Sequence, residues 1–112
     1  MDSPLAQVSQ DGPRVTIDIE RAEVDTDSLR DLIQELKQRL NDQNARKFVF
    51  GFEKVEFLPS ACLALLLMFY QEVKRQEGRI VLLNCQENVS FLLRLARLDA
   101  LFELAQGSAA DI

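Results

Sequence analysis

Histidine is absent from this 112-residue chain. Without it there is no Ser-His or Cys-His activation of a nucleophile, and no metal site that includes an imidazole. Cysteine occurs only at Cys62 and Cys85. Two thiols cannot build a zinc site alone, and they do not form a secreted disulfide framework. Glycine is scarce, with four residues, and none sits in a phosphate-binding loop pattern. No paired-carboxylate signature and no internal repeat is found. These absences argue against an enzyme and against a bound cofactor.

Positive charge is also short. Thirteen Lys and Arg face eighteen Asp and Glu, a net charge of -5. A general nucleic-acid binder would carry a basic patch or stripe instead, and an anionic membrane surface is disfavoured for the same reason. The most apolar run, residues 61–70, is about half the roughly 20 residues needed to cross a bilayer. The opening "MDSPLAQVSQ" lacks the basic and apolar regions of a secretion signal. The chain reads as a soluble, cytoplasmic protein without membrane insertion.

What is present is a core. Apolar residues make up 47% of the chain, and one domain of this length buries roughly 60–70% of its unfolded surface. "LAQVSQ" alternates weakly, as an edge strand would. "DGPR" is a turn signal, and "VTIDI" alternates strictly, so the two flanks form a hairpin. Asp25, Thr26, Asp27 and Ser28 supply helix-start chemistry. Leu29, Leu32, Ile33, Leu36 and Leu40 follow at helical spacing. "KFVFGF" has no alternation and reads as a central parallel strand covered on both faces.

A second helix is expected from Ser60 to about Gln76, apolar almost all round at first and deeply buried there, with Leu63 to Phe69 as core. Gly78 is its expected stop. "RIVLLNC" is another buried strand. In "QENVSFLLRLARL" an amphipathic helix would bury Val89, Leu92, Leu93 and Ala96, widened by Phe91, Leu95 and Leu98. "ALFEL" ends the pattern as a short strand or turn. The order β-β-α-β-α-β-α implies an α/β fold with a mixed, mostly parallel sheet. It spans residues 1–105 as one domain, followed by a frayed tail at 106–112.

Three segments carry a resemblance: "VEFLPSACLALLL", "GRIVLLNCQENVSFLLRLARLDALFEL" and the hairpin-helix opening. Together they resemble a STAS domain, the fold of the bacterial anti-sigma factor antagonists. In that family a strand runs into Asp-Ser-Ser/Thr-Gly-Leu and then a buried helix. Leu58-Pro59-Ser60-Ala61-Cys62-Leu63 occupies that motif here. Gly78 to Leu82 matches the strand motif that follows. Arg97-Leu98-Asp99-Ala100-Leu101-Phe102 matches the third motif, with Arg97 in place of a glycine.

The resemblance implies a non-catalytic regulatory module that binds an anti-sigma factor with an ATP-binding kinase fold. It places Ser60 on the family's phosphate-acceptor position. It also implies a partner-facing surface made of Pro59, Ser60, Ala61 and Cys62 together with Asp25, Thr26 and Asp27. Three motif positions differ: the family aspartate is Pro59, the second hydroxyl residue is Ala61, and the glycine is Cys62. The missing aspartate suits a second, phosphate-free role, as an accessory subunit of a lipid-transport ABC system or a scaffold in a stress-sensing complex.

Each site residue also has a purely structural role open to it. Ser60 can cap the helix it begins, and Asp25, Thr26 and Asp27 can simply cap theirs. Cys62 sits where a helix dipole lowers a thiol pKa, and Cys85 would share its rim, so a redox pair is conceivable. Two small buried hydrophobes is the plainer description of both.

Overall fold

The computed structural model describes residues 5–112. Residues 1–4, the first of the expected 1–105 domain, lie outside the described residues. The strict alternation at 15–19 produces the expected hairpin. Strand β1 (Ala6–Asp11) pairs antiparallel with β2 (Arg14–Ile19) across a turn at Gly12 and Pro13. Helix α1 (Thr26–Asp42) leads into β3 (Lys47–Gly51), and α2 (Ser60–Arg75) into β4 (Arg79–Leu83). Helix α3 (Glu87–Leu95) and a 3-10 turn (Leu98–Ala100) precede β5 (Glu103–Ala105). The sheet order is β1-β2-β3-β4-β5, with every pair after the first parallel. This is the mixed, mostly parallel α/β fold expected from the sequence.

All three helices lie on one face of the sheet. Their buried residues join Val15, Ile17, Phe48, Phe50, Ile80 and Leu82 in one core. At its centre the Phe69 ring of α2 meets Phe48 edge-on, with centroids 5.0 Å apart. The opposite face presents Thr16, Val49 and Val81 in register, with Asp18, Gly51 and Leu83 as the next row. Both faces of β3 are therefore covered, as its unbroken apolar run required.

Three expectations need correction. Helix α2 is not buried all round at its start. Only Cys62, Leu66, Phe69 and Val73, at i, i+4, i+7 and i+11, are buried. Leu63, Leu65 and Leu67 are half-buried, and Met68 is 57% exposed. A helix lying on a flat sheet turns only one stripe inward, and composition does not say where the neighbouring helices stop covering it. In α3 the buried residues are Val89 and Leu93, joined by Leu98 beyond its end. Leu92 is half-buried, while Phe91, Leu95 and Ala96 face outward.

The third correction concerns the stop of α2. Glu77, not Gly78, takes the left-handed backbone there, with φ 61°. Gly78 serves close approach instead. Its N–H donates to Val73 O at 2.9 Å, and the next N–H, of Arg79, donates to Arg46 O at 2.7 Å. A Cβ at position 78 would stand 2.6 Å from Arg46 O and 2.6 Å from Val73 Cγ1. Both obstacles are buried or part of the backbone, so neither moves cheaply. Gly78→Ala is expected to destabilise the fold by about 1–3 kcal/mol, read as a lower midpoint in urea unfolding.

Candidate functional site

The carboxyl ends of β2 and β3 each lead into a loop and then a helix. The two loops are zipped together. Glu23 and Phe57 form a parallel bridge. Around it, Phe57 N–H donates to Ala22 O at 3.1 Å, Glu56 N–H donates to the same oxygen at 2.8 Å, and Val24 N–H donates to Phe57 O at 3.4 Å. This pairing brings the start of α1 beside the start of α2. A second tie lies beneath it, where the Cys62 thiol donates to Val24 O at 3.7 Å and sits 3.9 Å from Thr26 Oγ1. Asp25, Thr26 and Asp27 thus share one rim with Pro59, Ser60 and Ala61, although more than thirty residues separate the two groups in sequence. Cys62, expected on the partner-facing surface, is instead fully buried beneath that rim.

Their local roles differ from one another. Asp25 is the N-cap of α1, accepting from the Ser28 N–H at 3.0 Å. That bond is the main reason its carboxyl is held below the usual carboxylate range. Asp27 is almost fully exposed and pairs with Arg30 at 2.9 Å. Pro59, with φ -60° and ψ 153°, is the N-cap of α2, and no side chain caps that helix.

Ser60 is therefore the first helical residue rather than the cap, and the capping role open to it in the sequence is not the one it plays. Its side chain is exposed, and among the described residues its hydroxyl makes no hydrogen bond. The first N–H groups of any helix lack a partner within it. Here Cys62 and Leu63 turn theirs back to Pro59 O, at 2.9 and 3.2 Å. The rim thus presents a free hydroxyl at the positive end of a 16-residue helix.

An apolar strip runs outward from this point. Ala61, Ala64 and Met68, at i, i+3 and i+7, all face solvent along α2, and Phe57 in the preceding loop is 54% exposed. Residue types alone gave no sign of this strip, because the same apolar letters also make the core. Acidic side chains flank its mouth: Glu23, Asp25 and Asp27 are all exposed.

The family profile described as "Mlab, STAS domain" matches residues 6–104. The chain belongs to the STAS-domain family. Solved structures agree on the fold. This STAS domain superposes on the anti-sigma factor antagonist SpoIIAA in its unphosphorylated form with a TM-score of 0.84, at 18% identity, covering 95% of this chain and 90% of that one. The phosphorylated form from Bacillus gives 0.78 at 17% identity, covering 95% and 94%. An anti-sigma-factor antagonist (STAS) domain protein from Planctomyces limnophilus gives 0.78 at 16% identity, covering 95% and 92%.

Arg97, which replaces the glycine of the family motif, has φ 61° and ψ 24°, a backbone region that favours glycine. The thiols of this STAS domain are not activated. Cys62 is fully buried, and burial pushes its pKa up, against the lowering expected from the helix end. Burial pushes Cys85 up to about 11. At Cys62 desolvation of a thiolate outweighs the hydrogen bond with Thr26, which acts the other way, and protonated thiols are poor nucleophiles. Among the described residues no helix is long and apolar enough to cross a membrane.

Proposed function

We propose that this STAS domain is a non-catalytic regulatory binding module of the anti-sigma factor antagonist type. Its partner is a kinase-type anti-sigma factor docking on the rim where α1 and α2 begin. The observation that carries the reading is the exposed hydroxyl of Ser60, without a hydrogen bond among the described residues, on the same rim as Asp25 and Asp27 and at the head of an outward apolar strip. Protein interfaces centre on buried apolar anchors within a polar rim. Phe57 and Met68 supply such anchors, and Glu23, Asp25 and Asp27 supply the rim.

Ser60 is the acceptor for the partner's phosphate in this reading. A phosphoserine adds roughly -1.5 to -2 charge, and the unpaired N–H groups and dipole of α2 favour that charge. The fold would stay intact while the contact surface turned strongly negative next to Asp25 and Asp27. Docking and release would then follow from one reversible modification.

A second reading has its own support. The matching family profile is the one described as "Mlab, STAS domain", and Pro59 replaces the aspartate that precedes the acceptor in the antagonists. In this reading the same rim holds an ABC ATPase permanently, as an accessory subunit of a lipid-transport system.

One experiment separates the two. The chain is purified from its native cells, the co-purifying ATPase is identified by mass spectrometry, and the complex is incubated with ATP. The first reading expects a histidine-kinase-like ATPase and phosphate on Ser60. An ABC ATPase with unmodified Ser60 supports the second. A folded chain that brings down neither class contradicts both.

A further inference from the structure

The face of the sheet turned away from the helices carries three aliphatic side chains, Val49, Val81 and Leu83. Each is at most 4% exposed. No helix of the core reaches them. Among the described residues, Ala105 of β5 borders them within the sheet, and Ala109 and Ile112 from the segment after β5 pack on them.

That segment is fastened at two points. Asn84 grips both backbone groups of Gly107. The Gly107 N–H donates to Asn84 Oδ1 at 2.9 Å, and Asn84 Nδ2 donates to Gly107 O at 2.8 Å. Farther along, Arg14 Nη1 donates to Ile112 O at 2.8 Å. Between them Ser108 caps a 3-10 turn (Ala109–Asp111), accepting from the Ala110 N–H at 3.2 Å. Gly107 itself has φ 116°, a conformation that lets the chain double back onto the sheet.

Open space borders the segment on both sides. One hollow of about 380 Å³ is lined by Asp18, Gly51 and Lys54 together with residues 107–109. Another of about 420 Å³ is lined by Ser9, Arg14 and Thr16 together with Ala109 and Ala110. None of the residues lining either hollow belongs to α1, α2 or α3.

We propose that residues 106–112 are a latch over the rear face of the sheet, held by the Asn84 clasp, and that releasing it uncovers the apolar strip Val49–Val81–Leu83. The latch is independent of the partner rim, which lies on α1 and α2. Local opening of this kind is governed by how few contacts hold a segment. Among the described residues those contacts are one side-chain clasp, one arginine and the apolar footholds of Ala109 and Ile112.

Amide hydrogen exchange on the full chain tests it. The Gly107 amide is expected to exchange at least about tenfold more slowly than a free amide. Asn84→Gly removes the clasp and suits the positive φ of that position, 59°. It should return Gly107 to the free rate and raise the fluorescence of the dye ANS, which reports exposed apolar surface. Strand amides at Phe48 and Leu82 should stay protected. Ile112→Asp, which puts a charge on the strip and spares the clasp, should raise ANS fluorescence as well. A Gly107 amide that exchanges at the free rate in the unaltered chain overturns the latch, as does an Asn84→Gly chain with Gly107 still protected.

Discussion

Phe69→Ala is expected to lower the melting temperature by roughly 10–25 °C, the largest stability effect of any single substitution considered for this fold. Deleting a fully buried phenylalanine costs about 3–5 kcal/mol, because transfer energy is lost and a cavity remains. In a domain of this size that converts to a shift of this order. The site cannot collapse to fill the hole. Phe69 is fully buried on α2 and meets two rings of β3 edge-on, Phe48 at 5.0 Å and Phe50 at 6.5 Å. Those rings are fixed by strands paired on either side. Thermal unfolding followed by circular dichroism reads the effect. A shift under about 3 °C would mean that α2 is not seated on the sheet as described.

The strands were the most legible part of the sequence, because alternation is a direct record of two-sidedness. "VTIDI" alternates and one of its faces is open; "KFVFGF" does not and both faces of β3 are covered. The helices were legible in extent but not in orientation. In α2 nearly every position from Ala61 to Phe69 is apolar, so nothing in the letters picks out the stripe Cys62, Leu66, Phe69 and Val73. The packing of α2 against a flat sheet decides that, and it leaves Met68 outside. In α3 the letters again offered more apolar positions than the sheet could cover, and Phe91 and Leu95 were left out.

At the site, the two loops singled out in the sequence lie side by side, but the role of each side chain there was not legible. Pro59 and Ser60 both suit a helix boundary, and only backbone geometry assigns the cap to Pro59 and leaves the Ser60 hydroxyl free. The approach of Asp25 to this point depends on the Glu23–Phe57 bridge, a backbone pairing that carries no side-chain signature. The thiol of Cys62 was open to two opposing influences, and the depth of burial, invisible in the letters, settled the direction. The segment at 106–112 gave the weakest signal, since small polar residues look alike whether they lie on a sheet or in solvent.

Ser60→Asp is expected to weaken partner binding roughly 30-fold or more, the effect typical of disrupting an interface hot spot. The substitution places a fixed negative charge where Ser60 now offers a neutral hydroxyl, beside Asp25 and Asp27. The fold should accept it. Ser60 is exposed, it is the first residue of α2, and an acidic side chain there favours the helix dipole. Melting temperature should therefore stay within a few degrees of the unaltered chain. Gln38→Asp, an added charge on the exposed side of α1 away from the rim, should bind normally. Titration of the purified native partner into all three chains is the most direct measurement. Affinity should be lost for Ser60→Asp alone, with all three chains folded. Unchanged affinity for Ser60→Asp would contradict docking at this rim.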